Sequence, residues 1–404
     1  MNIVYKFTMS RPSERYIDEV PSADSESVPI VSGQKLDNRE NQSLLGNDPK
    51  YSTETLYRNF FVMSAAFSIN HGCVVACLAY ASTELGNEMG SVGSGILYVC
   101  YAITAFLVSK PLVTMLGPKY GLLAGVFGYF IYVSGFCIAV LSRLVFVDAA
   151  WVVSMVSAAI GGFAGGLLWT AQGRYFSRHA KLYSESSGIP VEKVNATFAG
   201  VFATMFLGLE MCTKLLGTVI FLMVPAGASF LVFSLYTAAS LVACVMVAGL
   251  DDLDDDGTWD FSYQSISYNA GAAARLVWLD GRMALIVPFQ LAFGFCSSFV
   301  PYYIFGTVIT GSDSLGSSYV GLLSALIVLT GASMAIPSAW AANKFGKPLV
   351  MTVGGLCLAY TGFAFFVFSN DTLGTWAAII PLLIVYGIGR GTWVSESACL
   401  SKPV

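Results

Sequence analysis

The segment Met89–Ser142, MGSVGSGILYVCYAITAFLVSKPLVTMLGPKYGLLAGVFGYFIYVSGFCIAVLS, decides the class of the fold. It contains two runs without Asp, Glu, Lys or Arg, namely Met89–Ser109 and Tyr120–Ser142. A helix needs about 20 apolar residues to cross the hydrocarbon core of a bilayer, and both runs reach that length. Lys110 and Lys119 lie in the short segment between the runs. The pattern predicts two membrane-spanning helices joined by a tight basic loop.

The same pattern extends along most of the chain. Only 11% of the 404 residues are charged and 55% are hydrophobic, whereas about 25% of residues are charged in a soluble domain. One uncharged run is too long for a single helix and breaks at the sequence VPAGAS, so it holds the end of one span and the whole of the next. We therefore predict an all-α polytopic membrane protein with ten spans. The uncharged runs are Asn59–Thr83, Met89–Ser109, Tyr120–Ser142, Ala149–Gly173, Val194–Leu209, Leu215–Leu250, Met283–Ser312, Ser314–Asn343, Leu349–Asn370 and Thr372–Gly389.

The distribution of cations predicts the orientation. With the N-terminus in the cytoplasm, the inner segments collect most of the Lys and Arg residues, and the outer loops hold only Arg143. Cytoplasmic loops of membrane proteins are enriched in Lys and Arg. We therefore expect both ends of this sequence to face the cytoplasm, in a plasma membrane or an endolysosomal or vacuolar membrane.

The sequence does not indicate an enzyme, a cofactor or a metal. It has no nucleophile–base constellation, no phosphate-binding glycine loop and no Cys/His metal spacing. The loop Asp251–Asp260, DDLDDDGTWD, has the spacing of a calcium loop, but Tyr263 stands where the bidentate glutamate belongs. We predict a solvated acidic loop. The nine cysteines lie in or beside the spans and are typical of packing residues, not of a disulfide framework.

An internal repeat indicates two related halves. The segment Thr114–Phe136, TMLGPKYGLLAGVFGYFIYVSGF, resembles Ala342–Phe363, ANKFGKPLVMTVGGLCLAYTGF. Each has a Gly, then a Pro/Lys pair, then a glycine-containing helix start and a Gly-Phe ending. Parallel six-span halves are the plan of the major facilitator architecture, so we predict that type of helical bundle.

The repeat predicts the domain boundaries. We expect a disordered cytoplasmic tail at 1–56, an N-terminal six-helix bundle at 57–250, an acidic cytoplasmic linker at 251–281 and a C-terminal bundle of four helices at 282–404. Two helices of the twelve-helix plan are missing after the tenth span, so we expect the C-terminal bundle to be truncated.

Glycines in the fourth span predict close helix packing. Gly161 and Gly165, like Gly162 and Gly166, are four residues apart. Small residues at this spacing allow neighbouring membrane helices to approach closely.

Three segments carry a family resemblance. They are Gly90–Phe136, the sequence GGFAGGLLWTAQGRYFS from Gly161 and the sequence FAGVFATMFLGLE that ends at Glu210. They look like the Unc family (uncoordinated-ninety-three), a branch of the major facilitator superfamily. The string LLWTAQG, Leu167–Gly173, is the most specific element, and the resemblance covers roughly residues 57–397.

The resemblance implies a regulatory subunit rather than an enzyme. Family members are ion-channel regulatory proteins, linked to potassium channels, or trafficking chaperones of membrane receptors. The alternative is an ion- or proton-coupled secondary transporter of a small solute. Typical facilitator transporters have an acidic residue in the inner-loop signature, but Thr114 and Asn343 occupy the corresponding places here. Their presence weakens the transporter interpretation.

Three charged residues lie within predicted spans and are the first site candidates. Glu210 and Lys214 are four residues apart, so they share a helix face and can pair. A charge at mid-bilayer costs about 2.5–3.5 kcal/mol on insertion scales, so we expect this pair to face the bundle interior. The pair can serve ion coupling, contact a partner helix or simply hold helices together. Arg390 in span ten can face Glu210, bind an anionic group or extend to the membrane interface.

Five neutral residues complete the candidates for the cavity. Asn70 and His71 lie midway along the first span, where His71 is either a proton carrier or a neutral hydrogen-bonding core residue. Trp169 and Gln172 belong to the family string, and Gln290 lies in the seventh span.

Two further signals concern sorting and modification. Glu40 precedes Leu44 and Leu45 in the pattern of an acidic dileucine sorting signal, which predicts binding to an adaptor complex. Asn370 lies in an Asn-Asp-Thr sequon on the outer side, close to the membrane, and is a possible glycosylation site. The expected partners are the bilayer and an ion channel or receptor subunit, and no nucleic acid.

Overall fold

A computed structural model describes residues 51–224, 226–252, 278–279 and 281–399. The predicted sorting signal of Glu40, Leu44 and Leu45 and most of the acidic linker lie outside the described residues. Within the described ranges every regular element is helical. In chain order the helices are α1 Thr53–Leu85, α2 Asn87–Ile103, α3 Ser109–Ser142, α4 Val147–Ser187, α5 Val191–Met223, α6 Ala228–Ala248, α7 Gly281–Phe299, α8 Val320–Ser333, α9 Ala335–Phe345, α10 Lys347–Val367, α11 Asn370–Leu373 and α12 Trp376–Cys399.

The helices account for all ten predicted spans. Among the described residues, eight helical segments have the length and composition needed to cross a membrane. One of these segments, Asn87–Ser142, contains the second and third spans, and the shorter apolar helix Trp376–Thr392 contains the tenth. The prediction of an all-α polytopic membrane protein is confirmed. Span five is therefore α5, span ten is α12, and span seven is α7 continued by a π-helical segment, Val300–Ile309.

The first helix begins earlier than the sequence suggested. We placed the end of the tail at residue 56, whereas α1 begins at Thr53. The Ser52 side chain accepts a hydrogen bond from the Thr55 backbone N–H at 3.2 Å and caps the helix. A serine at this position satisfies one of the backbone donors that a helix N-terminus leaves free.

The two repeated loops have the same backbone geometry. Gly117 has φ 79° and ψ 163°, and Gly346 has φ 93° and ψ 151°. This region of backbone space is essentially restricted to glycine. Gly117 lies within the range of α3 and divides it by a kink into two helical parts, whereas Gly346 lies between α9 and α10. In both places a proline follows within two residues, at the start of the helical part that comes next. A second pair, Gly86 before α2 and Gly316 before α8, has nearly the same angles. The repeat is thus visible in backbone conformation as well as in sequence.

The glycines of α4 pack against two different neighbours. A methyl group on Gly161 would lie 2.8 Å from the Tyr132 side chain of α3. A methyl group on Gly162 would lie 2.2 Å from the Leu97 carbonyl oxygen of α2, and one on Gly166 would lie 2.8 Å from the Ala105 backbone nitrogen. These distances are shorter than the contacts that real Cβ atoms make, so only glycine permits α4 to lie this close to the second and third spans.

The site described below lies where α1, α5 and α8 pack together. A methyl group on Gly72 of α1 would lie 3.4 Å from the Glu210 Cα of α5. A methyl group on Gly321 of α8 would lie 2.4 Å from the Lys214 carbonyl oxygen of α5. Backbone-to-backbone contact on two sides fixes the middle of α5 between the first and eighth spans.

Candidate functional site

Glu210 and Lys214 form an ion pair in the buried middle of α5. The Lys214 Nζ donates a hydrogen bond to Glu210 Oε1 at 2.7 Å. The Glu210 side chain is 1% exposed and the Lys214 side chain 4% exposed. Their separation of four residues places both side chains on one face of the helix, which allows this short contact.

A third charge reaches the same carboxylate from the other end of the chain. Arg390 in α12 donates from Nη2 to Glu210 Oε1 at 2.9 Å and to Oε2 at 3.0 Å. Its side chain is 20% exposed, so the arginine lies at the accessible edge of the group. We call Glu210, Lys214 and Arg390 the charge triad.

The charge triad carries a surplus of positive charge. One carboxylate and two cations give a formal charge of −1 + 2 = +1. Glu210 accepts three hydrogen bonds and is fully partnered. Because an isolated charge in the membrane interior is costly, the carboxylate stabilises both cations, and its protonation would weaken its hold on both. The triad therefore suits either a charge-controlled contact between helices or the binding of an anion.

Hydrogen bonds of the α5 backbone support the triad. The Thr213 hydroxyl donates to the Glu210 carbonyl oxygen at 2.8 Å. The Tyr236 hydroxyl of α6 donates to the Thr213 carbonyl oxygen at 2.6 Å. These bonds connect the turn that carries the charges to a neighbouring helix, so the ion pair is held on a fixed backbone.

An aromatic cluster adjoins the triad on its N-terminal side along α5. The His71 ring stacks on Phe206 at a centroid distance of 4.9 Å and meets the edge of Trp169 at 5.4 Å. Phe67 lies 4.9 Å from Trp169, and Phe202 stacks on Phe206 at 5.8 Å. We call Phe67, His71, Trp169, Phe202 and Phe206 the aromatic cluster. It combines residues of α1, α4 and α5.

His71 connects the cluster to the charges. Gly72, the next residue of α1, lies against the turn of α5 that carries Glu210, because a methyl group on it would lie 3.4 Å from the Glu210 Cα. Its Nδ1 is buried and has no hydrogen-bond partner among the described residues. An imidazole nitrogen in this setting can bind a polar group of a ligand.

The remaining sequence candidates lie elsewhere. The Asn70 side chain donates to the Val126 carbonyl oxygen of α3 at 3.0 Å, so it joins α1 to α3 and does not contact the triad. Gln172 is buried in α4, whereas Gln290 is exposed in α7. Asn370 is exposed, and its side chain exchanges hydrogen bonds with the Tyr303 hydroxyl at 3.0 and 3.2 Å. No group of His, Cys, Asp and Glu side chains suited to a metal ion occurs in the described part of the chain.

The helix ends near Asp251 carry a separate polar network. Asn59 of α1 donates to the Asp251 carboxylate at 2.8 Å, and the Tyr175 hydroxyl of α4 donates to the Asp251 carbonyl oxygen at 3.4 Å. Arg174 donates to the Thr114 hydroxyl at 2.6 Å. Thr114, in the place where the family resemblance leads us to expect an acid in a transporter, thus accepts a hydrogen bond from a charged guanidinium.

Sequence reasoning missed the phenylalanines of the aromatic cluster. Phe202 and Phe206 precede Glu210 and Lys214 at intervals of four residues. Residues at this interval form a slowly turning stripe along one side of a helix. This spacing is visible in the sequence and would have predicted that the two rings lie on the same side of α5 as the two charges.

The comparisons with known families and sequences agree with this architecture. The family model described as "Ion channel regulatory protein UNC-93" matches residues 82–369. The chain is 22% identical over 400 residues to UNC93-like protein 3 of Arabidopsis thaliana, covering 94% of this chain and 79% of that protein.

Solved transporter structures share the fold. A variant of the nucleoside transporter NupG superposes with a TM-score of 0.56 at 14% identity, covering 86% of this chain and 83% of that one. The E. coli xylose transporter XylE, in a partially occluded inward-open conformation, superposes with a TM-score of 0.55 at 13% identity, covering 86% and 85%. These likenesses confirm the predicted major-facilitator-type bundle.

Proposed function

The chain belongs to the UNC-93 family, and from this premise we propose that it regulates an ion channel, potassium-linked, or assists the trafficking of a channel or receptor in its membrane. The observation that carries the proposal is the match to a family described as ion-channel regulatory over residues 82–369, which extends from the first span into the ninth. The protein then acts by binding a membrane partner, and no reaction of its own is involved.

The charge triad has an indirect role in this function. The Glu210 and Lys214 side chains are 1% and 4% exposed and face the bundle interior. A partner helix in the bilayer cannot contact them without opening the bundle. We therefore expect the triad to fix the relative position of α5 and α12. The partner then binds a surface whose shape depends on that position.

Capture of the native protein tests the regulatory function. The protein is purified in a mild detergent, and the proteins that co-purify in near-equal amount are identified by mass spectrometry. A channel or receptor subunit is expected. Glu210→Gln should reduce its recovery, whereas Glu185→Gln, which alters an exposed i,i+4 pair with Lys181, should not. Recovery of the protein alone from native membranes would contradict the proposal.

A second function, ion- or proton-coupled secondary transport, is favoured by one specific observation. The Arg390–Glu210 contact joins span ten to span five in the bundle interior, beside a cluster of aromatic side chains. A carboxylate that exchanges cationic partners is one way to couple an ion to a conformational change. The fold is also similar to that of a nucleoside and a xylose transporter.

Reconstitution distinguishes the two functions. In proteoliposomes that contain only this protein, a transporter gives solute flux that depends on an ion gradient, and Glu210→Gln abolishes the coupled flux without reducing delivery to the membrane. A regulator gives no flux alone. Partner recovery without flux would support regulation, and coupled flux without a partner would support transport.

A further inference from the structure

The charge triad leaves hydrogen-bond donors free at its accessible edge. A guanidinium has five N–H donors, and the Arg390 contacts to Glu210 use Nη2 alone. Among the described residues, no side chain or backbone group hydrogen-bonds to Arg390 Nη1 or Nε. The arginine is also the most exposed member of the triad, at 20% against 1% for Glu210. The free donors therefore belong to the most exposed member of the triad.

The net positive charge of the triad favours the binding of an anion. The formal charge of the three residues is +1, and Glu210 is the only carboxylate that the described structure places within the buried middle of the spans. A guanidinium with free donors binds carboxylate and phosphate groups through charge-assisted hydrogen bonds. An anion bound to Arg390 would bring the charge of the site to zero, which lowers the cost of burial in the membrane interior.

The aromatic cluster supplies a surface for a flat ring. Trp169, Phe202 and Phe206 are only partly buried, although each lies among other aromatic rings. Offset or edge-to-face contacts between rings contribute about 0.5–1.5 kcal/mol beyond the burial of apolar area. An apolar ring that enters this cluster would complete contacts that the protein side chains leave open.

The two surfaces are close enough for one small molecule to contact both. Phe206 precedes Glu210 by four residues, about 6 Å along α5. His71 stacks on Phe206, and the next residue of α1, Gly72, lies against the turn of α5 that carries Glu210. Tyr386 precedes Arg390 by four residues, so its phenol group lies on the same face of α12.

We propose that the charge triad and the aromatic cluster together bind an organic anion with a planar apolar ring, such as an aryl carboxylate. The anionic group contacts the free donors of Arg390, the ring packs against Trp169 and Phe206, and His71 Nδ1 is available to a polar substituent on the ring. The proposal deepens the transport function, because it names the class of solute. It also stands without transport, since a regulator can bind the same ligand without moving it.

Direct binding tests the proposal, with 2-naphthoate as the probe. Titration calorimetry on the purified full chain in detergent measures the affinity for 2-naphthoate and for two analogues. The analogue 2-naphthamide lacks the charge, and cyclohexanecarboxylate lacks the flat ring. We expect 2-naphthoate to bind at least about ten-fold more tightly than either analogue. Equal binding of the amide would overturn the anion site, and equal binding of the cyclohexane acid would overturn the ring site. Absence of 2-naphthoate binding would overturn both.

Variants locate the binding and separate it from transport. Arg390→Gln should abolish 2-naphthoate binding, and Phe206→Leu should weaken it while leaving cyclohexanecarboxylate unchanged. Lys181→Gln, in the exposed cytoplasmic end of α4, is the matched control. If Arg390→Gln does not fold, Arg390→Lys keeps the charge and should retain binding with reduced preference for the carboxylate. Because binding is measured without a gradient, a protein that binds 2-naphthoate but shows no flux would contradict transport and support this inference.

Discussion

Arg390 Nη2 lies 2.9 Å and 3.0 Å from the two carboxylate oxygens of Glu210, although 180 residues separate them in the chain. The contact joins the fifth span to the tenth within the apolar interior. It is also shared, because Lys214 donates to the same carboxylate at 2.7 Å. Removal of any one of the three charges therefore changes the electrostatic interactions of the other two.

Glu210→Gln should destabilise the protein strongly. The amide cannot compensate two cations, so Lys214 and Arg390 would remain in the interior without a counter-charge. Removal of one member of a buried ion pair typically costs about 3–5 kcal/mol. Reversible unfolding by sodium dodecyl sulfate in mixed micelles measures the free energy of unfolding.

The exposed Lys181–Glu185 pair provides the control for this prediction. It has the same i,i+4 spacing, but its nitrogen–oxygen distance is 4.0 Å and its side chains are 62% and 58% exposed. Exposed pairs contribute at most about 1 kcal/mol. Glu185→Gln should therefore change the free energy of unfolding little, and equal losses in the two variants would show that the triad charges are solvated.

A double-mutant cycle should show that Glu210 and Arg390 are coupled. Glu210→Gln, Arg390→Gln and the double variant give the interaction energy free of each residue's separate effects. Residues in contact usually couple by about 0.5–3 kcal/mol, and this pair should lie in the upper part of that range because it is buried. The same cycle for Glu210 and Lys181 should give a value near zero. A coupling near zero for Glu210 and Arg390 would contradict the direct contact.

The class of the fold follows from sequence, because uncharged runs of membrane-spanning length have few alternative interpretations. The pairing of Glu210 with Lys214 is also local, since a spacing of four residues defines a shared helix face. The contact with Arg390 is not local. It depends on how α12 packs against the rest of the bundle, and the sequence left several roles open for the arginine. The sequence likewise did not predict that Asn70 lies against α3 and away from the triad, because this position also depends on how the helices pack.

The internal repeat was likewise only partly predictable from the sequence. Gly117 and Gly346 stand out because a Pro/Lys pair follows each. Gly86 and Gly316 adopt nearly the same angles, but the only shared signal around them is a preceding leucine. A backbone conformation can thus repeat where the side chains differ, and only the structure reveals it.

Gly117→Ala and Gly346→Ala should each destabilise the protein. Both glycines have positive φ with extended ψ, a conformation that costs an alanine about 1–3 kcal/mol. Gly208→Ala is the control, because Gly208 is helical and a methyl group there would contact nothing within 4 Å. In a helix, replacement of glycine by alanine stabilises by up to about 1 kcal/mol. The free energy of unfolding should thus fall in the loop variants and rise or stay constant in the helical one.

Gly162→Ala should loosen the packing of α4 against α2. The added methyl group would lie 2.2 Å from the Leu97 carbonyl oxygen, so one of the two helices must move. Overpacking of this kind typically costs about 1–3 kcal/mol. Gly95→Ala in α2, where a methyl group would contact nothing within 4 Å, is the matched control. Heating followed by size-exclusion chromatography should show a lower midpoint for Gly162→Ala only, and equal midpoints would contradict the close helix approach.

Thr114→Asp should strengthen the connection between the second and third spans and test its role in function. Arg174 donates to the Thr114 hydroxyl at 2.6 Å, and a carboxylate at this position would convert this hydrogen bond between a cation and an uncharged hydroxyl into an ion pair. At a partly exposed site the gain should be at most about 1 kcal/mol, and Arg174→Gln in the same background should remove it.

If the protein is a transporter, the restored acid should also change the rate of flux, because the inner-loop acid of facilitator transporters controls alternating access. If it is a regulator, the unfolding free energy should rise while partner recovery stays unchanged. A loss of stability in Thr114→Asp would show that the Arg174 guanidinium does not face residue 114.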